Sequence, residues 1–307
     1  MELAGRPAHD AAPGARSFDY VTVGHVTVDV LAASGTRRPG GGAFYSALQA
    51  ARLGLRTLIL TQGSPPEIEA LLAPYREELE LRILPAPATT TLHTSGSGAA
   101  RTQRVLAWAG PIAVTVAVDT QILHFAPVAR ETSGACFDAH PPHADFVGLT
   151  PQGLARAWDE NGEILPAWLP TDSRSLRGLL PDGLSAVVLS EHERATCAPL
   201  LAAAAAAGAV LAITAGPGAT SVQEPDGRVS QVQAPAIAHP RDDLGAGDVF
   251  AAAFFIALHE GRSAARAAAF AGAAAAIRIE GAGADAIGDR SAIEARLAGG
   301  RWRRRRR

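Results

Sequence analysis

The sequence contains no lysine: all 28 of its basic residues are arginine, a bias that GC-rich coding explains. It has only two cysteines, Cys136 and Cys197, too few for a disulfide framework. Neither stands in a CxxC or beside a histidine pair at metal spacing, so both read as small buried hydrophobes in a reducing compartment. Aromatic residues make up 5%, and alanine fills much of the 48% apolar share, so helices are expected to sit close to a sheet. No apolar run approaches the ~18 residues of a membrane span; the stretch 251–258 is broken by His259, Glu260 and Arg262. Residues 1–17 are rich in Ala, Gly, Pro and charge and lack the apolar stretch of a signal peptide. The expectation is a soluble cytoplasmic protein with a disordered segment 1–17, one domain over 18–298 and a loose end over 299–307. A net charge of −2 gives no overall nucleic-acid footprint and no sign of a membrane partner. The exception is 301–307, six arginines around Trp302, which reads as a solvated tail or as a binder of RNA or anionic lipid.

What is present is alternation. The segments 20–23 and 26–31 are β-rich, and 42–53 carries helical spacing through Ala43, Ala47, Ala50 and Leu53. A strand over 56–61, a short helix over 66–72 opened by a proline, and a strand over 81–84 follow. The stretch 89–125 has few helical signals, and 89–94, 102–108 and 112–118 are predicted as hairpin strands. Beyond it, 145–149 and 186–189 are short apolar runs of the kind found in buried parallel strands. A helix is predicted over 191–207, a strand over 209–214, long alanine-rich helices over 246–260 and 263–278, and a last helix over 291–297. Strands alternating with helices imply an α/β fold with a doubly wound, mostly parallel sheet.

The most informative segment is Arg241-Asp242-Asp243-Leu244-Gly245-Ala246-Gly247-Asp248, between a β-type stretch and a strongly helical one. At a helix start, the amides of Gly245, Ala246 and Gly247 can point at an anion that the helix dipole favours. Asp248 lies in the first turn beside the same pocket. A carboxylate next to a phosphate cradle repels its ligand, yet makes sense as a base that takes a hydroxyl proton while phosphate arrives. The same letters also fit a glycine-rich turn with a capping aspartate.

This segment resembles the second signature, D-T-x-G-A-G-D, of the ribokinase-like (PfkB) carbohydrate kinases. Asp242, Gly245, Ala246, Gly247 and Asp248 match it, and Asp243 replaces the threonine. The resemblance implies Asp248 as catalytic base and Gly245, Ala246 and Gly247 as the anion hole over the transferred phosphoryl group. The added negative charge of Asp243 weakens phosphate affinity or invites a cation, so a monovalent cation is compatible with the site. The run Val21 to Asp29 resembles the family's first strand, ending in an acid that clamps substrate hydroxyls. Gly40, Gly41 and Gly42, followed by a helix and Arg52-Leu53-Gly54, resemble the first signature, with glycines that let the backbone approach substrate. Tyr45 stands where most sugar kinases of the family have Asn, as in a branch that includes inositol-type kinases. Only ten residues separate Asp29 from Gly40, which predicts a small, reduced β lid completed by 89–118.

Weaker matches complete the resemblance. Ser190 to Glu193 is similar to an N-x-x-E motif in which Glu193 orders Mg2+ through water; a capping box explains the same residues. Glu193 and Asp242 are the metal candidates. Thr214, Gly216 and Gly218 resemble a nucleotide-lining T-x-G segment, and Gly272 falls at an adenine-side position where Asn is common. Arg156 follows a strand end and is a candidate phosphate or substrate clamp, or a surface arginine. The resemblance implies transfer of phosphate from ATP to a hydroxyl of a small sugar or polyol, with Mg2+ and with monomer or homodimer both open. The alternatives are a catalytically weak member that binds a small molecule or a protein partner, and a nucleoside kinase. A Rossmann oxidoreductase is excluded, because G-x-G-x-x-G does not follow the first strand.

Overall fold

Near-continuous apolar runs along the central strands require a cover on both faces of the sheet, and the chain supplies one. The computed structural model describes residues 18–137 and 140–299; the expectations for 1–17 and for the arginine-rich 301–307 lie outside the described residues. The strands are β1 (Phe18–Val23), β2 (Thr27–Leu31), β3 (Arg37–Gly40), β4 (Thr57–Gly63), β5 (Glu80–Pro85), β6 (Thr91–Ser95), β7 (Thr102–Ala107) and β8 (Asp119–Phe125). They continue with β9 (His143–Leu149), β10 (Arg156–Trp158), β11 (Ile164–Pro166), β12 (Leu184–Ser190), β13 (Val210–Thr214), β14 (Thr220–Gln223) and β15 (Val229–Val232). The helices are α1 (Gly42–Arg52), α2 (Pro65–Leu72), α3 (Ser173–Arg177), α4 (Ala198–Ala206), α5 (Ala246–His259), α6 (Ala264–Glu280) and α7 (Arg290–Gly299).

The main sheet runs β15-β14-β13-β12-β9-β8-β1-β4-β5. From β5 to β13 every neighbouring pair is parallel, and only the edge strands β14 and β15 are antiparallel. On one face Tyr20, Ile59, Ile122 and Val188 pack with α1, α5 and α6. On the other, Val21, Leu58, Leu123 and Val187 pack with Leu200 and Ala204 of α4 and Leu176 of α3. Alanine does what its abundance predicts: Ala251, Ala252, Ala253 and Ala257 of α5 are all buried, so α5 lies close between the sheet and α6.

A separate four-stranded sheet, β3-β2-β6-β7, forms the lid. It is small, as the short link between Asp29 and Gly40 predicts, and β6 and β7 supply its outer half. The predicted strand over 112–118 is not one. Ile112 and Val114 do alternate inward, but their amides donate to the carbonyls of Glu131 and Cys136, both 2.7 Å away, in an irregular segment. The strand begins seven residues later, as β8, in the middle of the main sheet. The predicted helix over 191–207 is divided: a 3-10 turn covers Glu191–Glu193, and α4 begins only at Ala198, with Pro199 in its first turn.

Candidate active site

In doubly wound sheets ligands bind at the carboxyl edge, where strand order changes direction. Here that point is β1, whose neighbours β4 and β8 lead to opposite halves of the sheet. The chain leaves β1 at Gly24 and enters the lid at Thr27, so the lid hangs over the switch point. Gly41 opens α1 with φ 90°, and a Cβ there would stand 2.2 Å from the His25 carbonyl oxygen. Gly42 lies against both the Ala126 carbonyl at the end of β8 and Asp248 Oδ1, at 3.1 and 3.0 Å from an ideal Cβ. The first signature and the second therefore meet at this edge.

Asp248 sits in the first turn of α5, whose N-cap Gly245 is left-handed with φ 79°. The Ser46 hydroxyl donates to the Asp248 carbonyl at 3.2 Å and ties α1 to that turn. Burial pushes the Asp248 carboxyl up to about 7; Arg156 opposes the shift, and the negative charges of Glu193 and Asp29 add to it. The Ala246 amide turns back to the Asp243 carbonyl at 3.3 Å, which leaves the first-turn amides of Gly247 and Asp248 without a helical acceptor. Of the three amides expected to form the anion hole, that of Ala246 is therefore engaged within the turn. A Cβ on Gly247 would meet nothing within 4 Å, so the space beside the helix start is open.

Gly245 has a second reason to be glycine: its Cβ would overlap the Tyr45 ring at 2.4 Å. Tyr45 is 2% exposed, and its hydroxyl makes no hydrogen bond. Burial and the charge of Asp29 push its phenol up to about 12. Asp29, on β2, is equally buried and packs against the backbone of Gly40, whose Cβ would lie 2.2 Å from Asp29 Oδ2. The Thr27 hydroxyl donates to Asp29 Oδ1 at 2.8 Å. Burial raises the Asp29 carboxyl to about 6 against the pull of Thr27, Arg38, Arg156 and Arg101.

Two expectations for the aspartate pair change. Asp242 is not available to a metal, because four donors saturate its carboxylate. Arg38 donates to Oδ2 at 2.7 Å and to Oδ1 at 3.2 Å, Arg278 to Oδ2 at 2.9 Å, and the amides of Leu244 and Gly283 complete the set. Burial alone would raise its pKa, but the two guanidinium groups hold it well below the usual carboxylate range. Asp243, the departure from the signature, adds no free charge. It accepts from Arg101 and, at 2.8 Å, from the Gly98 amide, both in the β6–β7 loop. The substituted residue thus latches the lid to the helix start. Replacing Asp243 with Ala is expected to raise the acceptor KM about fivefold, the effect of losing ~1 kcal/mol from a half-buried charged pair, with kcat little changed. Steady-state kinetics over a range of salt check it: the difference should shrink as salt rises.

Arg156 begins β10 and reaches into the cleft between lid and sheet. It donates to the Val128 carbonyl at 3.0 Å and to Gln103 Oε1 on the lid at 2.9 Å. Burial lowers its pKa, opposed by Glu193, Asp248, Glu131 and Asp29, which places it among the site carboxylates rather than on the surface. Glu193 closes a capping box, with Oε2 accepting the Ser190 amide and hydroxyl, both at 2.9 Å. Thr214, Gly216 and Gly218 gather at the end of β13, whose Thr214 pairs in register with Ser190. Gly272 lies apart, on α6 beneath Pro235, whose Cδ is 3.2 Å from an ideal Cβ there.

Sequence reasoning missed Arg38, Arg101 and Arg278. The signal for Arg278 was its phase: it falls four and seven residues after Ala274 and Ala271, both fully buried, so a charge stands on the apolar stripe of α6. Among the described residues no cluster of His, Cys, Asp and Glu could by itself hold a metal ion, and no helix is long and apolar enough to cross a membrane.

Residues 182–289 match the family model described as pfkB family carbohydrate kinase. No curated protein matches the chain by sequence. Among solved structures, a pyrophosphate-dependent kinase in the ribokinase family, complexed with a pyrophosphate analog and myo-inositol, superposes with a TM-score of 0.70 at 18% identity, covering 90% of this chain and 99% of its own. A fructokinase from Vibrio cholerae O395, in fructose, ADP and calcium ion bound form, gives 0.69 at 20% identity over 91% and 99%. A ribokinase from Arabidopsis thaliana, complexed with ribose and ATP, gives 0.65 at 18% over 91% and 98%. The chain has the ribokinase-like fold, and its segment 182–289 carries the pfkB carbohydrate kinase pattern.

Proposed function

We propose that this protein transfers a phosphoryl group from ATP to a hydroxyl of a small sugar or polyol in the cytoplasm. The observation that carries the reading is the placement of Asp248. It is a half-buried carboxylate tuned near neutrality, in the first turn of a helix whose free amides it shares, within electrostatic reach of Arg156, Glu193 and Asp29. Asp29 holds acceptor hydroxyls, Asp248 accepts the proton of the reacting one, and the Gly247 and Asp248 amides with Arg156 stabilise charge on the transferred group. Thr214, Gly216 and Gly218 line the donor side. Mg2+ fits the donor chemistry at Glu193: Oε2 serves the cap and Oε1 remains for a water of the ion's shell. When bound, the ion neutralises donor phosphate charge.

One observation favours a second donor. Pro235 lies over Gly272, where the sequence placed the adenine side, and a structural neighbour is pyrophosphate-dependent. The two donors are separated by one assay. The full chain is given myo-inositol, fructose, ribose and nucleosides with ATP or with pyrophosphate and Mg2+, and ADP or orthophosphate release is followed. Turnover is expected with at least one polyol or sugar; none with any acceptor and either donor would replace the kinase reading with that of a silent binding protein.

A further inference from the structure

Among the described residues, Arg278 is the largest side chain with no exposed surface. Oxygens surround its two terminal nitrogens, while its buried Nε has no hydrogen-bond partner. Nη1 donates to the Asp242 carbonyl at 3.1 Å and the Gly281 carbonyl at 3.5 Å; Nη2 donates to the Leu244 carbonyl at 2.7 Å and to Asp242 Oδ2 at 2.9 Å. Three backbone carbonyls and a carboxylate are the donor set that replaces the hydration shell of a potassium or sodium ion. Here the protein's own cation fills it. The last turn of α6 adds the negative end of its dipole to the same place. A second guanidinium, Arg38, lies on the other side of the Asp242 carboxylate, so an added metal cation would find its oxygens taken and two positive charges beside it.

The cage holds the segment that matters for chemistry. Asp242 and Leu244 are the residues just before Gly245, and their carbonyls, gripped from inside, fix the approach to α5. The guanidinium carbon also lies 5.5 Å from the Tyr45 ring centre, and that ring backs onto Gly245. Arg278, Tyr45 and Gly245 thus stack beneath the helix start that presents the Gly247 and Asp248 amides. We infer that Arg278 is a built-in cation that occupies the position of an activating monovalent ion, so that this enzyme positions its anion hole without potassium or sodium. The monovalent cation compatible with the sequence therefore does not fit the folded chain. The inference rests on the kinase reading only for its activity readout.

The test measures turnover and melting temperature of the full chain in potassium, sodium or tetramethylammonium salts, for the wild type, Arg278→Ala and Arg278→Lys. Wild-type turnover is expected to agree within about twofold across the three salts, with no potassium-specific rise in melting temperature. Arg278→Ala in tetramethylammonium should lose on the order of tenfold or more, the usual cost of displacing a charge-stabilising donor. It should regain several-fold of that on adding potassium or guanidinium, a rescue that loss of packing alone would not show. Arg278→Lys, which keeps a point charge but not the fork, should fall between them. Activation of the wild type several-fold by potassium overturns the inference, as does a folded Arg278→Ala that no cation rescues. If Arg278→Ala does not fold, the wild-type comparison still decides. If the wild type transfers no phosphate to any acceptor, the kinase reading fails separately. The melting temperatures then stand alone, and a potassium-specific rise in the wild type overturns the built-in cation.

Discussion

Asp248→Asn is expected to lower turnover by about 10²- to 10⁴-fold, the range for loss of a general base. Asparagine keeps the size and most of the polarity of the first turn of α5 but cannot accept the hydroxyl proton. Donor binding should hold or tighten, because one negative charge beside the phosphates is gone. The wild type carries its own pH signature. With the carboxyl raised to about 7, the residue is protonated and inert as a base at pH 5 to 6, so turnover climbs as pH rises through about 7 and levels above it. The Asn variant should lack that limb. The fold is not what is lost. A carboxyl whose pKa is raised by folding gives stability below its unfolded value near 4 that is withdrawn as pH rises through about 7. A neutral Asn is therefore expected to melt at or above the wild-type temperature at pH 8. Turnover that survives the change in an active wild type would remove Asp248 from the base role.

The second large effect is on acceptor binding. Asp29→Ala removes the carboxylate proposed to take two acceptor hydrogen bonds, worth roughly 2–4 kcal/mol when charge-assisted, or about 30- to 1000-fold in acceptor KM. Donor affinity should move little, since Asp29 belongs to the lid strand β2 and the donor side to the edge near β13. Initial-rate kinetics with each substrate varied in turn make the distinction. An acceptor KM that stays within twofold would mean that the carboxylate does not hold substrate.

The parallel sheet was legible because its strands are written as short apolar runs between helical stretches, and burial on both faces leaves no other way to hide them. The candidate site was legible where chemistry and backbone share letters: a left-handed Gly245 and an Asp248 in the first turn of α5 fall within one short segment. Other parts were hidden for identifiable reasons. The hairpin β10–β11 turns through Asn161-Gly162 and the hairpin β14–β15 through Asp226-Gly227, each glycine at positive φ. Those dipeptides announce a hairpin, but the flanking strands of three or four residues are too short for alternation to register. The segment 112–118 misled for the opposite reason, since its alternation is real and its partner is a loop. The latch between Asp243 and Arg101 joins positions 142 apart in sequence, and no local pattern marks such a pair.

The lid has a consequence for how this enzyme can diversify. The carboxylate that would hold the acceptor rides on β2, while the residues assigned to proton abstraction and donor binding ride on α5 and the edge of the main sheet. Among the described residues the two groups meet at the Asp242–Arg38 pair, the Asp243 latch and the bond from Arg156 to Gln103. The stretches 27–40 and 91–107 therefore form a cassette. Exchanging their inward side chains would change which alcohol is selected while leaving the phosphate chemistry where it is.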